Sequence, residues 1–158
     1  VQQPKDDTAR AIAEHLLAFF ASGVKSRLAS AIAHPFLPIG RFDQLDNVIG
    51  SISDSELQDA FGSAAEHGVA IEITTHFLPS KKDRNFSIET PVRLLSVAKQ
   101  AGCKFTLGTD AHCPYEQKRL PELAPLIKAI RVTEKDMLLI DGGGTQPTHS
   151  GDAPAGRS

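Results

Sequence analysis

The chain has 158 residues, of which 41% are hydrophobic, and a formal net charge of -2 at pH 7, enough apolar matter for the core of one ordinary globular domain. No basic block is present, so nucleic acid is not an expected partner, and no apolar run approaches the roughly 20 residues that a bilayer-spanning helix needs. The two cysteines, Cys103 and Cys113, lack framework spacing and no signal-peptide pattern opens the chain, which points to free thiols in the cytoplasm.

Asp6, Asp7 and Thr8 offer capping oxygens, after which Ile12, Leu16, Phe19 and Phe20 recur at helical spacing. With Gly23 as a left-handed terminator, residues 8–22 are expected to form an amphipathic helix. Leu28 to Ala33 is a short apolar run ending at His34-Pro35 and reads as a buried strand. Residues 36–52, with Pro38, Gly40, Asp43, Asp46, Asn47 and Gly50, read as a long loop.

Ser53-Asp54-Ser55-Glu56 is a capping box, and Leu57, Ala60, Phe61, Ala64 and Ala65 give the helix behind it a buried stripe as far as Gly68. Val69 to Thr75 is the next strand. Thr90-Pro91 opens a helix with proline in its first position, and Gly102 closes it. Cys103 to Thr109 is the third strand. Leu120-Pro121 starts a helix carrying Leu123, Leu126, Ile127 and Ile130, and Thr133 caps a last short helix through Leu139. Residues 142–158, rich in Gly, Pro and Ser, read as a flexible tail, leaving residues 1–141 as the folded part.

Helix and strand alternate at a spacing that predicts an α/β fold, with a parallel sheet and right-handed crossovers. Three or four parallel strands make a small sheet with open edges, which suggests part of a larger barrel or a sheet completed by another copy.

All three strands end in polar residues: His34 after the first, Thr74, Thr75 and His76 after the second, and Asp110 and His112 after the third. In parallel α/β architecture these ends share one face. Two imidazoles and a carboxylate there suit Zn, Mn or Fe, so His34, Asp110 and His112 are the candidate ligands and His76 a weaker one. The direction of Glu72, within the second strand, is open at this stage. Cys113 is expected to be a partly buried thiol rather than a ligand. His15, His67 and His149 are expected to be structural or solvated. Arg41, Lys81, Lys82 and Arg84 lie in loops on the same face, and Arg41 is the preferred group for a substrate phosphate.

Ala31-Ile32-Ala33-His34-Pro35, Val69-Ala70-Ile71-Glu72-Ile73-Thr74 and Leu107-Gly108-Thr109-Asp110-Ala111-His112 together resemble three successive strand motifs of the PHP (polymerase and histidinol phosphatase) family, over about residues 8–140. The resemblance implies a partial (β/α) barrel and a metal-dependent phosphoesterase acting on a small phosphorylated substrate. It also implies that Asp110 and His112 take part in catalysis and, with His34, bind divalent metal. An amidohydrolase-type barrel, the other barrel with an aspartate at a late strand end, explains the paired motifs less well.

The sequence departs from the family pattern in having no His-x-His strand: its histidines stand at 15, 34, 67, 76, 112 and 149. The chain is therefore expected to be the C-terminal portion of such a domain, binding metal weakly by itself. A complementing N-terminal half or a second copy would then complete it. The chain opens on Val1 rather than Met, in keeping with a processed segment. The competing expectation is a truncated, inactive domain serving as an interaction or structural module.

Overall fold

A computed structural model describes residues 8–80 and 84–139. Its elements are helix α1 (Ala9–Ser26), strand β1 (Ala31–Ile32), helices α2 (Leu45–Gly50) and α3 (Asp54–Glu66), strand β2 (Ala70–Thr74), helix α4 (Glu89–Gln100), strand β3 (Phe105–Gly108) and helix α5 (Ala124–Ala129), with short 3-10 turns between them. The strands form one parallel sheet in the order β1-β2-β3, which does not close on itself. The fold is thus mixed α/β with three parallel strands, as expected. The expected tail at 142–158 and the anion candidates Lys81 and Lys82 lie outside the described residues.

Strand parity assigns the two faces of the sheet. Ile71, Ile73 and Phe105 are fully buried in one cluster with Phe61, Leu94 and Leu95 from the helices. Glu72 pairs with Thr106, and Thr74 with Gly108. They face the other way, and Glu72, Thr106 and Gly108 stay half-exposed. Beneath the helices Phe20, Phe36 and Phe61 form an aromatic trio. Phe20 and Phe36 stack with centroids 4.9 Å apart, and Phe61 meets them edge-on at 5.6 and 5.5 Å.

Several boundaries differ from the sequence expectation. Helix α1 runs through Gly23 to Ser26 and ends at Arg27, whose φ of 54° takes the left-handed position assigned to the glycine. Residues 36–52 are not one loop, because α2 lies within them. Leu45, Val48, Ile49 and Ile52 recur at helical spacing and are all buried, and that burial outweighs the local turn signals. Strand β1 keeps only two residues of the expected run, and Leu28 is 92% exposed.

Helix α4 begins two residues before Pro91. Asp46 of α2 serves its N-terminus, accepting from the Ser87 amide and the Thr90 hydroxyl. The expected helix from Leu120 is a 3-10 stretch (Glu116–Leu123) followed by the short α5. The last expected helix stops at a 3-10 turn, Glu134–Asp136. Met137 then pairs in parallel with Phe105, and the Leu138 amide donates to the Phe105 carbonyl at 2.8 Å. A fourth strand position therefore opens beside β3.

The capping box is present as read, with Ser53 and Glu56 exchanging hydrogen bonds. Two arginines grip the link between α2 and α3 from opposite sides. Arg93 of α4 donates to the carbonyls of Ile49 (3.0 Å) and Ile52 (2.8 Å) and to Asp54 (2.7 Å). Arg10 of α1 donates to the Ser51 carbonyl (2.9 Å) and forks onto Glu56 (2.7 and 3.2 Å). Both cysteines are free thiols. Cys103 is buried, and burial pushes its thiol up to about 11, whereas Cys113 is half-buried. No helix among the described residues is long and apolar enough to cross a membrane.

Candidate functional site

Because the strands are parallel, their carboxyl ends meet on one rim. At the end of β1, His34 has a φ of 33°, in the left-handed region that a non-glycine residue rarely adopts. Its amide donates to the Glu72 carboxylate at 2.8 Å. At the end of β2, His76 sits in a 3-10 turn, with its Nδ1 3.4 Å from the Thr74 hydroxyl and its ring stacked on Phe42 at 5.7 Å. Thr75 reaches across to donate to the Thr109 carbonyl at 3.3 Å, and the Arg84 guanidinium donates to the Thr75 carbonyl at 2.9 Å. At the end of β3, Asp110 is exposed at a φ of 52°.

The electrostatics tie these ends together. Burial, followed by the nearby Arg84 guanidinium, pushes the His76 imidazole below the usual histidine range. Asp110 opposes that shift, while His34 and Arg119 add to it. His76 therefore feels charges from the ends of both neighbouring strands as well as from Arg84 and Arg119. His112 stands further along the loop: it is exposed, and its amide donates to Glu116 at 2.7 Å. That bond is the main reason why the Glu116 carboxyl lies below its ordinary range. Beside His34 an apolar cleft of about 310 Å³ runs between α1 and the segment after β1, walled by Phe19, Phe20 and Ile39, with His15 and Arg41 also lining it.

The expected set is thus partly gathered. His34, His76 and Asp110 stand at the ends of β1, β2 and β3 in turn, and His76, weighted lower from the sequence, feels the charge of both others. Arg41 lines the cleft next to His34, and Arg84 is at the rim. Glu72 and Arg119 are additions. The sequence signal for Glu72 was its place in the central strand, and for Arg119 its place in the connection after β3, on the rim side.

A catalytic metal usually takes about three protein ligands, but among the described residues no three His, Cys, Asp or Glu side chains are grouped to hold one. Glu72 spends one oxygen on the His34 amide, and His112 is tied through its amide to Glu116. The described residues do not by themselves fit a closed metal site.

No protein-family model matches the sequence, and no solved structure matches it. Curated proteins do. Proteins named probable phosphatase from Thermoanaerobacter sp. (strain X514) and Thermoanaerobacter pseudethanolicus (strain ATCC 33223 / 39E) are each 28% identical to this chain over 123 residues, which is 77% of this chain and 44% of theirs. A probable phosphatase from Aliivibrio fischeri (strain ATCC 700601 / ES114) is 26% identical over 99 residues, 63% of this chain and 40% of its own length. The chain spans less than half the length of these relatives, and over that span it is similar to proteins that carry the name of phosphatases.

Proposed function

We propose that the chain contributes the strand-end rim of a phosphoesterase site of PHP type, one that hydrolyses a small phosphorylated substrate. The placement of His34, His76 and Asp110 at the ends of three consecutive parallel strands carries this reading, and the names of the relatives support it. The Arg84 guanidinium puts positive charge beside the same rim, where a phosphate dianion would be drawn and oriented, whereas Arg119 is engaged by the Glu122 carboxylate at 2.9 Å. Arg41, at the mouth of the cleft beside His34, is the candidate for holding the substrate's phosphate. His76, disfavoured as a cation by burial, would serve as a neutral donor or acceptor rather than a fixed charge.

In this reading Asp110 and His112 take part in the chemistry, and residues 1–141 form the C-terminal portion of the domain. Divalent metal, as Mn, Zn or Fe, belongs to the proposal only through donors from outside the described residues, and no catalytic step is assigned to it. The second reading is a catalytically silent domain that acts as an interaction module.

The test compares two proteins with p-nitrophenyl phosphate and added Mn: this chain, and the product of its coding sequence read upstream of Val1. The upstream product is expected to be active. Asp110→Ala and His34→Ala in it should each lower kcat by about a hundredfold or more, the scale of losing a positioned polar group at a reacting centre. This chain alone should be inactive. Wild-type rates in Asp110→Ala, or an inactive upstream product, would leave the interaction module as the better account.

A further inference from the structure

Glu72 is the only acidic residue within the three strands, and it is half-buried on the face turned away from the helical core. Its two oxygens do different things. Oε2 accepts the His34 amide at 2.8 Å. Oε1 lies over Gly108, so close that a Cβ built on that glycine would sit 1.8 Å from it and 2.6 Å from the carboxylate carbon. One carboxylate on the central strand therefore touches the ends of both neighbours.

The contact with His34 is with a backbone that needs holding. At a φ of 33° an L-residue is strained by about 1–3 kcal/mol, and such geometry persists only where the surroundings over-determine it. A charge-assisted bond to the amide is stronger than a neutral one and supplies that constraint. On the other side, Gly108 pairs in register with Thr74 and lacks the side chain that would push the carboxylate out. Its φ is not in the left-handed region, so no turn requires the glycine. The space for Glu72 does.

We infer that Glu72 is a positioning residue that sets the backbone of His34 and is itself seated by the missing side chain of Gly108. This rests on the reading of the rim as a phosphoesterase site, although the clasp itself does not. The carboxylate acts through His34 and touches no reacting group. In the strands themselves, a polar residue on an otherwise small-residue face (Ala31, Ala70, Thr106 and Gly108) has no packing purpose of its own, and the two contacts supply one.

The experiment has two arms. In this chain, amide hydrogen exchange by NMR is read at His34, with the Ile71 amide, bonded to the Lys104 carbonyl at 2.8 Å, as the control for an intact sheet. Glu72→Ala should speed His34 exchange about tenfold or more, the scale of losing a hydrogen bond to a charged group, while Ile71 stays protected. Glu72→Gln keeps an oxygen acceptor and should fall between. Gly108→Ala should speed His34 exchange although Glu72 is still present, a result that mere loss of charge does not produce. His34 exchange unchanged in both Glu72→Ala and Gly108→Ala overturns the inference.

In the upstream product assayed with p-nitrophenyl phosphate, Glu72→Ala should lower kcat about tenfold with KM changed less than about threefold, and Glu72→Gln should recover part of it. An unchanged kcat in an active enzyme removes the positioning role. An inactive wild-type enzyme sinks the phosphoesterase reading instead, and the exchange arm then decides the clasp alone.

Discussion

Three residues at one end of the molecule, His34, Phe36 and Asp110, hold left-handed backbone angles of 33°, 60° and 52°. For Phe36 the reason is visible: the angle swings its ring into the stack with Phe20, where it is buried, and the packing offsets a strain of about 1–3 kcal/mol. Asp110 is among the residue types that tolerate this region best, and His34 has the Glu72 carboxylate on its amide.

A different carboxylate sets a pH dependence. Chiefly through the Arg10 fork, and then through Ser53, the Glu56 carboxyl is pulled down to about 2 from its ordinary 4.5. A depressed carboxyl stabilises the fold above its unfolded value, and the contribution disappears as pH falls from about 4.5 toward 2. Urea midpoints should therefore separate wild type from Glu56→Gln at neutral pH and converge near pH 2. Added salt should narrow the gap, since Arg10 is exposed. A gap that widens on acidification would contradict the assignment.

At this scale the sequence showed which side chains stand at strand ends, because Pro35, Gly108 and the polar residues beside them mark where strands stop. It did not show where Glu72 points, since parity needs a register, and the register comes from pairing with β1 and β3.

Among the elements, α2 carries more than its six residues suggest. It buries Leu45, Val48 and Ile49, its Asp46 serves the start of α4, and its carbonyl end is held by Arg93. Arg93→Ala should cost about 1–3 kcal/mol in chemical unfolding, because two backbone carbonyls and Asp54 lose a shared partner. Arg93→Lys should recover only part, because a point charge cannot replace the planar fork. A lysine variant as stable as wild type would show that charge alone suffices.

This helix is also the clearest case of what stayed illegible. Pro38, Gly40, Asp43 and Asn47 signal turns one by one, whereas Leu45, Val48, Ile49 and Ile52 form a helical pattern that only burial makes decisive. By contrast α3 was readable to within a residue, since its capping box and terminal glycine are local chemistry. The Met137 bridge falls within the span expected to be helical, because a Thr-capped acidic turn opens a 3-10 segment as readily as a longer helix.

For the molecule as a whole, β1 is an edge of the sheet among the described residues, the apolar cleft adjoins its end, and Phe19 (55%) and Ile39 (64%) in the cleft's lining are exposed. An unpaired edge next to exposed apolar side chains favours association, so this 16.9 kDa chain is expected to behave as a dimer or larger species. A compact monomer by light scattering would contradict that expectation. The fold class and the shared rim were legible from alternation of elements alone. The open edge of the sheet was legible as well, because three or four strands are too few to close on themselves.

The order of the sheet has one more consequence. Ala31 meets Ala70, Ile71 meets Phe105 and Phe105 meets Met137, so each strand pairs with the next in the chain across a span of roughly 30–40 residues. The entropic cost of closing a loop grows only slowly with its length, which makes these three closures nearly equal in cost. Among the described strands, each finds its pairing partner in the next. The sheet can grow in the direction of synthesis, each helix and strand docking on the surface left by the one before, while the rest of the chain is still emerging from the ribosome.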